Sequence, residues 1–323
     1  MRYRQLGSTG IRVSEIGFGA WGIGGNKKGA VAYGPTDESE SRAALLSAFE
    51  SGVTFFDTAD FYGFGHSEKI LGETLRPLRA RVAIATKVGI TGADGAQDFS
   101  RKHIFRSIDD SLTRLQTDYV DLYQLHGPPV STLRHDYEIR GTMEELKQRG
   151  KIRAYGVSVR SPEEGVAAIG ELGYQCVQVN FNLIDQRAIA SGLFALCGQR
   201  RAGIIVRTPL VFGYLTGRYT ANDDFDLADH RRRWNPEQRE QWADAYRLFQ
   251  DLLDTDSRQT PTQFALRYCL SFPEVSTVIP GMLTRQHVSE NVAASNLGAL
   301  APEIREKVMD IYRQHDFFAG NRI

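Results

Sequence analysis

Short apolar runs alternate along this chain with longer stretches whose apolar residues recur every three or four positions. The first pattern is that of buried strands and the second that of amphipathic helices. Residues 14–18, 53–56, 82–86, 120–125, 152–157, 176–179, 203–206 and 276–279 read as eight strands, rich in Val, Ile and Phe. Between and after them the spacing predicts helices over 37–50, 67–75, 100–115, 137–149, from 161, from 235, 260–270, from 284, and 302–312. The helix opened by Ser100 shows the clearest stripe, with Ile104, Ile108, Leu112 and Leu115 on one side. Ser161-Pro162-Glu163-Glu164 is a capping box with proline at the first helical position, and Gly52 and Gly150 mark helix ends. Ahead of the first strand, residues 2–13 read as a β-hairpin turning at Gly7-Ser8-Thr9-Gly10 and plugging one end of the fold.

Strands alternating with helices over 323 residues, with no linker composition between them, predict one (β/α)8 barrel domain spanning 1–323, with an N-terminal hairpin and extra C-terminal helices. The rival fold, a doubly wound open sheet, calls for a phosphate loop of the GxGxxG type. Gly22-Ile23-Gly24-Gly25 does not match it.

The residues just past the strands carry the chemistry. Asp57, Lys87, His126, Ser158 and Arg207 all fall where a predicted strand ends, and in a barrel the active site lies at those ends. Tyr62 sits on the loop after the second strand. A tyrosine is a poor acid at its ordinary pKa of about 10, but a neighbouring ammonium stabilises the phenolate. Lys87 supplies such an ammonium, Asp57 keeps it charged, and His126 can hydrogen-bond a carbonyl oxygen. The set is suited to protonating a carbonyl while another group attacks its carbon. No side chain delivers hydride, so a nicotinamide cofactor is the natural donor.

Charge and cysteine content remove several function classes. The formal net charge is zero, and apart from Arg231-Arg232-Arg233, read as a solvated loop, the cations are dispersed, so nucleic acid is not an expected partner. Cys176, Cys197 and Cys269 are odd in number and form no CxxC pair, which argues against a disulfide framework or a metal site and for a reducing, cytoplasmic setting. No apolar run suggests a signal peptide or a membrane span.

The sequence resembles the aldo-keto reductases, from Arg4-Gln5-Leu6-Gly7 through Glu290-Asn291, and is similar in its cofactor loops to the potassium-channel β subunit branch. The resemblance is carried by Asp57-Thr58-Ala59, Tyr62, Glu68 and Leu71-Gly72, joined by Lys87 and His126 at successive strand ends. It implies that Tyr62 is the general acid, that Lys87 and Asp57 tune it, and that His126 orients the carbonyl. It places the nicotinamide-amide ligands on Ser158 and Gln178, and further cofactor contacts on Gly19, Ala20, Trp21 and Arg207. The run 209–219, with Pro209, Leu210, Gly213, Leu215 and Arg218, is similar to the family's pyrophosphate-covering loop. Gly281, Leu283, His287, Glu290 and Asn291 fall on its adenosine side.

Four positions depart from the family pattern. Val159 replaces an asparagine beside the carboxamide, Arg207 replaces an aromatic ring that stacks on the nicotinamide, and Gly281 and His287 replace the cations that grip a 2′-phosphate. A guanidinium is planar and can also stack. Arg218 falls where related branches place a cation near that phosphate, so NADPH is the expected cofactor, with NADH possible. The expected activity is reduction of aldehydes or ketones, the wall of the pocket including Trp21 and Phe61. Two other classes compete with it: a Schiff-base lyase built on Lys87, and a cofactor-sensing regulatory subunit, for which no channel-binding extension is visible. Substrate and oligomeric state are not legible.

Overall fold

The computed structural model describes residues 1–26, 30–135, 137–253 and 259–318. Two short strands, β1 (Tyr3–Gln5) and β2 (Arg12–Ser14), pair antiparallel as the predicted hairpin. Eight parallel strands come after it: β3 (Phe18–Gly19), β4 (Phe55–Asp57), β5 (Ala83–Val88), β6 (Val120–His126), β7 (Ile152–Ser158), β8 (Cys176–Asn180), β9 (Gly203–Arg207) and β10 (Val275–Val278). They lie side by side in chain order. Bridges from Ile16 to Val278 and from Gly19 to Gly281 join the first strand segment to the last, so the sheet curls into the expected barrel. Gly19 is required at that seam, because a Cβ there would stand 2.7 Å from the Ile279 carbonyl oxygen.

The first strand is displaced from its expected position. Residues 14–18 were expected to form it, whereas Ser14 closes the hairpin, Ile16 joins β10 by a single bridge, and only Phe18 and Gly19 pair with β4. The reason is local: Ser14 exchanges hydrogen bonds with Thr54, its backbone N–H donating to Thr54 Oγ1 and its Oγ accepting from the Thr54 N–H.

Two apolar layers fill the barrel. Outside the sheet, Ile84, Tyr123, Val157, Val177 and Val206 pack against the helices. Inside, Phe55, Ala83, Ala85, Leu122, Ala154, Cys176 and Ile205 meet Leu6, Ile11 and Val13 from the hairpin. The hairpin therefore plugs the N-terminal end of the barrel, as read from the sequence. Gly7, at φ +53°, lies so close to β9 that a Cβ would fall 2.2 Å from the Gly203 nitrogen.

The helices start where polar caps predict. Asp37, Ser100, Ser161, Asn235, Thr260 and Thr284 each accept a backbone N–H of the first turn. Thr260 and Gln263 form a full capping box. The box expected at Ser161 is only half formed, because Glu164 accepts from the Arg160 N–H instead of that of Ser161. The segment before Tyr137 adds a short helix, Val130–His135, that the pattern did not predict.

The long stretch after β9 is not a solvated excursion. It folds into tight turns over Val211–Thr216 and His230–Arg233 and docks on the loop after β3. The His230 N–H donates to the Ala32 carbonyl at 2.9 Å. The His230 ring contacts Trp21, Tyr33, Phe212 and Trp234, at centroid distances of 4.7, 5.1, 5.1 and 4.9 Å. Arg231, expected in water, is buried: it forks onto Asp229 and lies over Tyr33, Tyr219 and Phe225. Asp229 and the aromatic faces replace the solvation that Arg231 gives up. Arg232 and Arg233 remain exposed.

Burial pulls the His230 imidazole down from 6.5 to about 4. Above pH 6.5 folded and unfolded chains are both neutral there; as pH falls from 6.5 toward 4 only the unfolded chain takes up the proton, and stability is lost. The unfolding free energy of wild type relative to His230→Phe is expected to fall by roughly 1 kcal/mol per pH unit across that window. A difference that stays flat in urea titrations would show that water reaches the ring.

Candidate active site

Lys87 and Asp57 form a buried ion pair at the C-terminal end of the barrel. The Lys87 ammonium donates to Asp57 Oδ1 at 2.5 Å, to the Thr58 carbonyl at 2.8 Å and to the Tyr62 hydroxyl at 3.1 Å. Its three N–H groups are thereby used. Lys87 is fully buried and Asp57 is 1% exposed. Burial acts to lower the Lys87 pKa, but the charge of Asp57 and the bonds to Asp57 and Tyr62 outweigh it, and the net shift is upward.

The second oxygen of Asp57 is held from two further strands. Gln124 on β6 donates to Oδ2 at 3.0 Å and Gln178 on β8 at 2.8 Å. Ser158 Oγ donates to Gln178 Oε1 at 3.2 Å. Parallel register brings these together: Lys87 stands beside Gln124, and Ser158 beside Gln178. Gln124 was missed in the sequence. The signal was a lone amide in an apolar strand, two residues before His126 and hence on the same face.

His126 lies against the tyrosine, with ring centroids 5.9 Å apart. Burial, then the charges of Lys87 and Arg207, hold its pKa well below 6.5, so the ring is neutral at neutral pH. Its Nδ1 is buried without a partner among the described residues. The loop carrying Tyr62 is anchored behind: Thr58 and Ser67 share a hydroxyl hydrogen bond at 2.8 Å, and Glu68, fully buried, accepts from Thr86 Oγ1 and Arg114 Nε, both at 2.6 Å. Phe61, read as part of the pocket wall, stacks edge-on against Phe64 and lines a separate cavity on the flank of this loop.

The expected cofactor residues gather on the same end of the barrel. Gly19 ends β3 and Ala20 follows it, Arg207 ends β9, and Arg207 Nη2 donates to the Val159 carbonyl at 3.0 Å. Its Nε is buried without a partner among the described residues. Pro209, Leu210, Gly213 and Leu215 lie in a run where Thr208, Val211, Phe212, Gly213 and Gly217 all have positive φ, a backbone held in a sharp curl. Ala20 and Leu215 are fully buried, so what they offer a ligand is backbone. Among the residues expected on the adenosine side, Arg218 pairs with Glu290 at 3.2 Å, Glu290 also accepts from Thr260 Oγ1, and Leu283 N–H donates to His287 Nδ1. Among the described residues nothing stands within 4 Å of where a Gly281 Cβ would be. An amide oxygen on Gln178 with a free lone pair, an unpaired guanidinium N–H, an open glycine and a Thr284-capped helix N-terminus together fit a dinucleotide carrying a carboxamide and phosphates.

The sequence model of the Aldo/keto reductase family matches residues 15–313. The chain belongs to the Aldo/keto reductase family. Among solved structures it is similar to the aldo-keto reductase AKR11C1 from Bacillus halodurans in its holo form, at a TM-score of 0.79 and 30% identity over 96% of both chains. A probable voltage-gated potassium channel subunit beta of Oryza sativa is 30% identical, with 95% of each chain covered. The NADH-specific methylglyoxal reductase of Escherichia coli is 31% identical over 92% of this chain and 94% of that protein. Among the described residues no helix is long and apolar enough to cross a membrane, and no cluster of His, Cys, Asp and Glu is able to hold a metal ion. All three cysteines are free and buried.

This family member's ion pair makes a stability prediction. Asp57→Asn keeps the shape of the side chain but leaves the Lys87 ammonium without its counter-charge, which costs about 3 kcal/mol in a buried site. Urea unfolding is expected to show that loss, and Asp57→Asn combined with Lys87→Met is expected to recover part of it. A single-variant cost below about 1 kcal/mol would mean that water reaches the ammonium.

Proposed function

We propose that the protein is an NADPH-dependent carbonyl reductase in which Tyr62 protonates the carbonyl oxygen of an aldehyde or ketone. The observation that carries this reading is the Lys87 ammonium, fully buried and bonded at once to Asp57 and to the Tyr62 hydroxyl. When bound, the reduced nicotinamide supplies a hydride to the carbonyl carbon. As negative charge builds on the carbonyl oxygen, Tyr62 gives up its proton, and the ammonium 3.1 Å away stabilises the phenolate left behind. Asp57 keeps that ammonium charged. His126, neutral, has one N–H to offer the same oxygen and does not compete as a cation for the tyrosine proton. Gln178 uses its N–H groups on Asp57 and Gln124, so it receives the carboxamide through Oε1.

The lyase alternative requires Lys87 as a neutral nucleophile. A lysine whose pKa is raised and whose three N–H groups are all engaged is poorly suited to that role. The regulatory reading draws on the name of the rice relative; cofactor retained through purification with slow turnover of every carbonyl tried would favour it.

Tyr62→Phe removes the proton donor alone and is expected to lower carbonyl reduction by about a hundredfold or more at nearly unchanged cofactor affinity. Steady-state rates over a panel of aldehydes and ketones test this, and activity within a few-fold of wild type would sink the mechanism.

Cofactor choice turns on Arg218. His287 is held below its ordinary pKa by burial and by Arg218, and its Nδ1 accepts from Leu283, so it brings little charge. A 2′-phosphate carries about two negative charges and must share Arg218 with Glu290. NADPH is therefore expected to bind about tenfold more tightly than NADH, roughly 1.4 kcal/mol, and Arg218→Ala to abolish the preference. Fluorescence-quenching titrations showing equal affinities, or a preference that survives in Arg218→Ala, would overturn the assignment.

A further inference from the structure

Hydrogen bonds tie the Asp57, Lys87 and Tyr62 side chains to one another, but none ties His126 to them. Among the described residues its imidazole makes no hydrogen bond: Nδ1 is buried without a partner, and the ring meets that of Tyr62 edge-on at 5.9 Å. Where the ring points therefore depends on how firmly its main chain is held. That hold comes from Gln97, a residue with no part in the chemistry proposed above.

Gln97 belongs to the segment between β5 and the helix Arg101–Leu115, which folds into a small hairpin. Thr91 N–H donates to the Ala96 carbonyl and Asp98 N–H to the Gly89 carbonyl, both at 2.8 Å, and Ile90 faces Gln97 in an antiparallel bridge. The base of this hairpin is fixed from two sides. Phe99 packs so closely on Gly89 that a Cβ there would fall 2.0 Å from its ring, and Asp98 accepts the N–H of Ser100, which caps the helix. From that base Gln97 Nε2 donates to the His126 carbonyl at 3.0 Å and to the Gly127 carbonyl at 2.9 Å. Two acceptors take both N–H groups of the amide, which leaves the side chain one orientation. β6 ends at His126, Gly127 turns the chain away at φ +63°, and the amide grips both carbonyls of that turn.

The same helix braces the loop that carries Tyr62. Ser107 Oγ donates to Asp60 Oδ2 at 2.8 Å, and Arg114 Nε to Glu68 at 2.6 Å. One element thus supports the tyrosine loop along its length and, through the hairpin at its start, the turn at His126. We propose that Gln97 is a positioning residue, which sets the His126 imidazole against the Tyr62 hydroxyl so that both meet one carbonyl oxygen. This rests on the carbonyl-reductase reading. Two donors serve one oxygen only if they converge on it, and a displacement of about 1 Å can cost about a hundredfold in rate.

The test uses Gln97→Met, which keeps the length of the side chain and removes its donors, and Gln97→Glu, which keeps its shape and sets a carboxylate against the two carbonyls. Each is expected to lower kcat for aldehyde reduction about tenfold or more, with the cofactor dissociation constant and the melting temperature close to wild type. In a His126→Ala background the same substitutions are expected to change the rate by less than about twofold, because their effect passes through the ring. The His126 ring cross-peak in NMR spectra, identified by its loss in His126→Ala, is expected to move in both variants. Rates within about twofold of wild type, an unmoved cross-peak, or an equal loss of rate in the His126→Ala background would each overturn the proposal. If wild type reduces no carbonyl the reductase reading fails, and the cross-peak alone then decides whether Gln97 sets the imidazole.

Discussion

A lysine ammonium without access to water sits at the centre of the barrel mouth, and the surrounding structure is arranged to keep it charged. Desolvating such an ion costs several kcal/mol, which only close opposite charge and filled hydrogen bonds offset. Asp57, the Thr58 carbonyl and Tyr62 take its three N–H groups. Asp57 in turn is fixed by Gln124 and Gln178, and Gln178 by Ser158. The chain of bonds runs across β4, β5, β6, β7 and β8, so the ion pair, the tyrosine and the proposed carboxamide ligands form one connected polar layer. Burial disfavours an imidazolium at His126, and the nearby ammonium and Arg207 add to it.

That layer needs a rigid frame. The apolar floor beneath it, from Phe55 and Leu122 to Ile205, is sealed by the hairpin residues Leu6, Ile11 and Val13. The ring is closed by the seam at Gly19, where only a residue without Cβ lets the strands approach. Above it, the segment after β9 is fastened to the loop after β3 by His230 and Arg231 among aromatic rings. The curled backbone 208–217 hangs between that fastening and β9, so this loop is held at both ends.

Much of this was legible from pattern alone. Each barrel strand after the first was found, and the residues at strand ends were those that converge. The predicted strands 120–125, 152–157 and 203–206 each stopped one residue early, because apolar character ends at Leu125, Val157 and Val206 while the backbone ladder continues through His126, Ser158 and Arg207. Hydrogen bonding between main chains is indifferent to what the side chain carries.

By itself the sequence determined the alternation of strand and helix, the helix caps and the row of ionisable groups at strand ends, since these depend on neighbours within a few residues. Tertiary structure decided what depends on contacts across the chain. Gln124 became part of the site only through its register beside Lys87 and its reach to Asp57. Arg231 became a buried anchor only because Asp229, Tyr33, Tyr219 and Phe225 fold around it. Phe61 lines the outer cavity and meets Phe64 edge-on there, a contact its sequence neighbours did not announce. Local pattern states which groups want burial or charge; the partners that satisfy them are chosen by packing between segments distant in the chain.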